Sequence, residues 1–365
     1  MQIFISILLL IGVLALIVLV HELGHFLVAK WCGIRVDEFG LGFPPRAVKL
    51  FSYQGTDYTL NWIPFGGFVK IYGEDSLDKN DPDFKRSLIA KKWWQQIAVL
   101  AAGVTMNVIL AWVIFSGMLM AGAPTLASQT DHPELLKDVQ LTVLDVAPNS
   151  PAATAGIATG DVVTKIASNK SILVNPDVAA FTTFIQSGTE QDAITVSVTR
   201  GDTVKDIVLT PKTGIVADHV AIGVAVDQVG YQPGLSFFTS LSQGFTTTVR
   251  VVESTGQAFV RLISGNVNLN TISGPVGLTK IIGEAEQVGF TSLLMVIAII
   301  SVNLAIINIL PFPALDGGRI VFVIIEAIIR RPLPKKFVEW VNGAGFVLLL
   351  LLMLVITVKD VIKLL

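Results

Sequence analysis

The chain has 365 residues, 52% of them hydrophobic and only 15% charged, with a mean hydropathy of +0.68. An ordinary soluble domain carries about 25% charged residues, so the composition points to a membrane as the main solvent. A formal net charge of -2 and a pI near 6.1 give no basic footprint, which excludes a nucleic-acid partner, and the single cysteine, Cys32, excludes an intrachain disulfide and reads as a small packing residue.

The first predicted element is an apolar helix over residues 1–30, uncharged from 3 to 20, that runs into His21-Glu22-Leu23-Gly24-His25. It has no basic leading region and no small-residue cleavage site, so it is expected to remain as a membrane helix rather than be removed as a signal peptide. Four residues make just over one helical turn, so His21 and His25 share a face and can direct ring nitrogens at one metal ion. Glu22 lies about 100° around the helix, beside that metal rather than on it, where a base that takes a proton from water must stand. An ionisable side chain within a bilayer costs roughly 2.5–3.5 kcal/mol. Three together need compensation, and a Zn2+ ion provides it.

Three more apolar stretches follow, over residues 96–121, an interrupted 290–329, and 337–357. Lys and Arg crowd the connection after the first helix (Lys30 through Lys92, Lys79 among them) and the short one before the fourth (Arg330, Arg331, Lys335, Lys336), which orients both toward the cytoplasm. Both termini and the long segment 123–278 are then expected on the opposite side. Between the first two helices, a stiff turn is expected over 39–45, with strands at 47–53 and 58–63 and another short one within 64–71 forming a small membrane-associated β-hairpin or sheet on the cytoplasmic face. Such an edge can hold an extended peptide by strand addition; the plainer reading is a hairpin that braces two helices. In the second span, Gly103 and Asn107 share a face and read as helix-packing residues.

The segment from 139 onward alternates like strands at 143–146, 162–166, 194–199 and 205–210, with a small-residue helix closed by Gly156 and a Gly160-Asp161 turn. This passage resembles the bacterial PDZ domain, which implies a groove beside a sheet edge that takes a peptide end, or else a folded spacer. A helical pattern over 246–263 follows, and Gly274-Pro275-Val276-Gly277 breaks the chain before its return to the membrane. In the third apolar stretch, Pro311, Pro313, Gly317 and Gly318 stop a helix at membrane depth, which is tolerated only where protein or a water-filled cavity satisfies the backbone. Asp316 is the only carboxylate in the motif 308–318 and completes a ligand set of two imidazoles and one carboxylate, with a fourth position for water. The competing reading pairs it with Arg319.

Taken together, the chain resembles the site-2 protease family of intramembrane zinc metalloproteases, in the bacterial group that includes the regulator of sigma-E protease. His21-Glu22-Leu23-Gly24-His25 matches that family's first motif, and Asn308, Pro311, Pro313, Leu315, Asp316 and Gly317 match its second. Phe65-Gly66-Gly67-Phe68 resembles its membrane-dipping β-segment, and Gly103 with Asn107 its second-helix motif, where Val104 replaces a usual proline. Only one PDZ-like unit is visible where some members have two. The resemblance implies a polytopic α-helical membrane protein with four transmembrane segments, a membrane-associated β-region (about 41–73) and one extracytoplasmic PDZ-like domain. The implied divisions are 1–122, 123–230, a helical connector 231–287, and 288–365. It further implies a multi-pass bacterial inner-membrane enzyme that uses Zn2+ on His21, His25 and Asp316, with Glu22 catalytic and Asn308, Gly66 and Gly67 binding substrate. Partners would be membrane lipid, single-span protein substrates such as anti-sigma factors or signal-peptide remnants, and an upstream extracytoplasmic protease. Two alternatives stand beside it: a PDZ-bearing adaptor with a dead site, which has no need of Glu22, and a zinc transporter, for which repeated halves are missing.

Overall fold

The computed structural model describes residues 2–74, 80–129, 134, 136–169, 171–201, 203–216, 219–264 and 274–364; Lys79 and the stretch just ahead of Gly274 lie outside these. The chain divides into two compact units, Met1–Gly117 with Phe238–Leu365, and Met118–Phe237. Among the described residues, four helices are long and apolar enough to cross a membrane. They are α1 (Gln2–Trp31), α2 (Trp93–Ala121), α7 (Phe290–Ile309) and α9 (Lys335–Leu364).

In the larger unit, α1 and α2 approach so closely at Gly24 that an added Cβ would lie 2.4 Å from the Ala102 carbonyl oxygen. Between them in sequence run two long strands, β1 (Val36–Tyr53) and β2 (Thr56–Ile71), joined at Gln54-Gly55. Their register shows four strand segments, because Phe39 pairs with both Val69 and Tyr58, and Leu41 with both Gly67 and Leu60. The lateral order is 46–53, 56–63, 36–43, 67–71. The stiff turn expected over 39–45 is therefore the end of a central strand, with Gly40 leaving room for the Phe68 ring and Asn61 Nδ2 donating to the Gly42 carbonyl at 2.9 Å. Ala29, Ile34, Val36, Ile71, Leu88 and Val99 bury one common core beneath this sheet.

Helix α5 (Phe237–Ile263) begins nine residues ahead of the expected pattern. The Gly274-Pro275 break is also the start of a helix, α6 (Pro275–Val288), whose Gly283 seats against Ser6 of α1. Leu10, Val13 and Ile17 of α1, Ile282 of α6 and Ile297 of α7 form a second buried cluster. The N-terminus of α6 is capped from far along the chain: Asp360 of α9, 7% exposed, accepts from Gly274 N at 2.8 Å and Gly277 N at 2.9 Å. Helix α9 is largely exposed along residues 346–355, and this cap ties its end to α6.

The smaller unit holds an antiparallel sheet in the order β3-β11-β4-β5-β7-β8, with β6 beside β5. These strands are β3 (Ala123–Leu126), β4 (Lys137–Val146), β5 (Val162–Ala167), β6 (Ile172–Val174), β7 (Ile194–Arg200), β8 (Thr203–Leu209) and β11 (Val224–Gln232). A separate ribbon pairs β9 (Lys212–Val216) with β10 (His219–Ala221). Helix α3 (Pro151–Ala155) is capped by Ser150 and closed by Gly156 in the left-handed conformation, and α4 (Val178–Gln186) is capped by Asp177. Phe181, Ile166, Ile194, Val143 and Ile222 lie in one core.

Asp360→Ala strips two backbone donors of their acceptor and is expected to lower stability by about 2 kcal/mol, with Asp360→Asn losing less than half of that. Thermal unfolding in detergent, on all three proteins, reads the difference.

Candidate active site

His21 and His25 sit late in α1, 6% and 4% exposed, and Asp316 opens α8 (Asp316–Ile329). Helix α7 ends at Ile309 because Pro311 and Pro313 cannot continue it. Residues 310–315 then fold back on the start of α8. This return is so tight that a Cβ on Gly317 would lie 2.2 Å from the Leu310 carbonyl oxygen, and one on Gly318 2.2 Å from that of Phe312. Ala314, at φ +71, donates its N–H to Asn342 Oδ1 of α9 at 3.2 Å, which holds the turn from outside.

Across the break, the two ends of the sequence meet. Asp316 Oδ2 lies 3.1 Å from His21 Nε2 and 3.4 Å from His25 Nε2, and the two imidazole nitrogens are 3.1 Å apart. Tetrahedral zinc with ligand bonds near 2.0–2.1 Å separates its ligand atoms by about 3.3 Å, so these spacings are those of a ligand triangle. Asp316 Oδ2 is buried and makes no hydrogen bond, which suits an atom whose lone pair is kept for a cation.

The imidazoles are set from the second helix. His25 Nδ1 donates to the Val99 carbonyl at 2.8 Å, so its Nε2 carries the free lone pair. His21 Nδ1 lies 3.3 Å from the amide of Asn107, which is fully buried. The amide nitrogen faces the ring and Oδ1 is buried without a partner; a half-turn of the amide lets Oδ1 accept Nδ1–H and frees His21 Nε2 in the same way. Ser301 of α7 in turn donates to the Asn107 carbonyl at 2.8 Å. Gly103 makes the room: an added Cβ would stand 2.4 Å from His25 Nε2 and 2.7 Å from His21 Cε1. Sequence pattern assigned Gly103 and Asn107 to helix packing, since periodicity shows a shared face but not what that face meets.

Glu22 is half-buried beside the triangle, with both imidazoles, Asp316 and Glu74 among its polar neighbours. Gly66 and Gly67 begin the 67–71 strand against α1, where a Cβ on Gly66 would lie 2.7 Å from Val18 Cγ1 and one on Gly67 3.4 Å from Leu19 Cδ1. That contact is two to three residues ahead of His21. Asn308 occupies the last turn of α7, half-buried. Arg319 does not pair with Asp316 as the competing reading required; it binds Glu74, just past β2.

The sequence profile of Peptidase family M50 matches residues 9–352. The chain belongs to peptidase family M50. It is 37% identical over 358 residues to a Clostridium perfringens protein, covering 95% of each chain. It is 34% identical over 358 residues to one from Synechocystis, covering 97% of this chain and 94% of the other. A Nostoc protein is 32% identical over 371 residues, covering 98% and 96%. All three carry the name "putative zinc metalloprotease". This M50 peptidase is a zinc metalloprotease of the membrane, and its donor set of two imidazoles and one carboxylate fits that metal.

Zinc, when bound, supplies Lewis acidity toward water and toward the scissile carbonyl. The chain's own residues do the rest. His21, His25 and Asp316 would fix where that charge stands, and Val99 and Asn107 would fix how the imidazoles face it. Beside that triangle, a Glu22 carboxylate oxygen could take the proton of the attacking water and pass it to the amide nitrogen that leaves. Burial of the two imidazoles would keep bulk water from competing for them.

Glu22→Gln keeps the volume but cannot accept a proton, so zinc content is expected to stay near wild type while cleavage falls by a factor of about 100 or more. Metal analysis and a cleavage assay on one preparation test it. Asn107→Ala is expected to weaken zinc about 10- to 100-fold, measured by competition with a chelator of known affinity.

Proposed function

We propose that this zinc metalloprotease is an intramembrane endopeptidase that cuts single-span membrane proteins, anti-sigma factors or signal-peptide remnants among them, in regulated intramembrane proteolysis. The observation that carries it is the meeting of His21, His25 and Asp316, brought from the apolar helix α1 and the break between α7 and α8. A protease built there meets its substrate in the bilayer, with lipid as its solvent.

Loop cations favour an orientation with the zinc site in the cytoplasmic half of the inner membrane and the Met118–Phe237 unit outside. We read that unit, about residues 123–230, as a PDZ-like filter. Supporting this, a groove of about 140 Å³ runs between α4 and β10, lined by Phe181, Thr182, Ile185, His219 and Ile222, of a size for an apolar peptide end. An upstream extracytoplasmic protease would supply that end. Residues 231–287 then connect it to the last two spans.

At the zinc site, the 67–71 segment offers a strand edge. Its inner side pairs with 36–41, and Gly66 and Gly67 bring its start beside α1. A substrate unwound into a strand on this edge presents its peptide bonds in order past Glu22. Asn308 serves the substrate backbone or the oxyanion from the end of α7. A catalytically inactive adaptor is disfavoured by Glu22 beside an intact ligand triangle.

Purified enzyme is expected to cut a tagged single-span substrate inside its apolar segment; cutting only in soluble loops overturns the reading. The filter has its own test. Ala123 and Gln232 are cross-strand partners, so a short Gly-Ser linker can replace the residues between them. This deletion should keep zinc and still cut a pre-trimmed substrate, while losing discrimination against one with a bulky outer domain. An unchanged ratio of the two rates would leave the unit a spacer.

A further inference from the structure

The 67–71 edge segment is referenced to both halves of the metal site. At its start, Gly66 and Gly67 lie on Val18 and Leu19 of α1, just ahead of His21. Past its end, Glu74 binds Arg319 of α8, one turn beyond Asp316. The two residues are 245 apart in sequence, and their side chains are each only 27% exposed. A guanidinium and a carboxylate held at that depth are more rigid than a solvated surface pair.

Glu74 also has a fixed base. Tyr72 N donates to the Arg35 carbonyl and Leu88 N to the Tyr72 carbonyl, both at 2.9 Å. Gly73, at φ +67, presses so close to Ser87 that an added Cβ would lie 2.4 Å from the serine Cβ. At the other partner, Gly317 and Gly318 lock the first turn of α8 to the 310–315 return. The ion pair therefore joins two rigid pieces, the end of the edge strand and the helix that carries the third metal ligand.

We propose that Glu74 and Arg319 are positioning residues that set the register of the edge strand against the metal site, and so select which peptide bond of a docked substrate is cut. The proposal rests on the strand-docking reading of the 67–71 edge. Neither residue belongs to the ligand triangle. Their effect is on where the substrate backbone stands, and a misplacement of about 1 Å at a reacting centre costs about 100-fold in rate.

The test compares wild type, Glu74→Gln, Arg319→Gln and the exchanged double variant Glu74→Arg/Arg319→Glu. Zinc per chain, kcat, KM and the cut bonds, by mass spectrometry, are measured on one single-span substrate. A set of substrates with proline walked through the cut region is run with wild type. The single variants are expected to keep zinc, to hold KM within about twofold, to lose kcat by about 10- to 100-fold, and to spread cleavage over neighbouring bonds. The exchanged pair should return kcat to within about fivefold of wild type and restore a single cut, which a merely structural loss would not do. Should Arg319→Gln fail to fold, Glu74→Gln alone decides. Single variants that cut the wild-type bond at the wild-type rate overturn the proposal, as do variants that lose zinc in step with activity. If proline is harmful at alternate substrate positions in wild type, the docking reading stands and only the register role is at stake. If proline position makes no difference there, the docking reading falls and the proposal with it.

Discussion

The structure depends on one electrostatic constraint: two buried imidazoles and a half-buried carboxylate converge at the end of an apolar helix. Their donor atoms lie 3.1–3.4 Å apart, with both histidines under 9% exposed. Without a cation, that triangle sets lone pair against lone pair. A zinc ion held there would turn the same geometry into the strongest local interaction in the unit and tie α1 to α8.

Much of the surrounding packing serves to bring those atoms together. Gly24 and Gly103 let α1 and α2 close until Val99 and Asn107 reach the outer nitrogens of the rings. Gly317 and Gly318 let the broken helix return on itself so that Asp316 opens α8. Asn342 and Ser301 brace these parts from α9 and α7. Larger residues at the glycine positions would add helix propensity and lose the site, so local stability is given up for position.

Sequence alone carried the centre of this arrangement well. The four-residue spacing of His21 and His25 survives any detail of packing because it is fixed by helix geometry, and long uncharged runs mark α1, α2, α7 and α9. Asp316 stood out because a lone carboxylate between prolines and glycines at membrane depth has little other use. What was hidden is long-range. The segment 39–45 looked like a turn because prolines and glycines dominate it, whereas pairing on both flanks makes 36–43 a central strand. Asn107 looked like packing because its partner is 86 residues away, and Arg319 was matched with nearby Asp316 because nothing local names Glu74. The early start of α5 was masked by the serines and threonines that follow Phe237, which weaken the helical pattern.

The most direct measurement of the central claim is X-ray absorption at the zinc edge on purified protein, in wild type and in Asp316→Ala. The account predicts a first shell of nitrogen and oxygen only, with imidazole scattering from two histidines, and a lower zinc content or an altered shell once Asp316 is removed. A sulfur at about 2.3 Å, which would bring in Cys32, or a wild-type spectrum at full zinc content in Asp316→Ala, would contradict it.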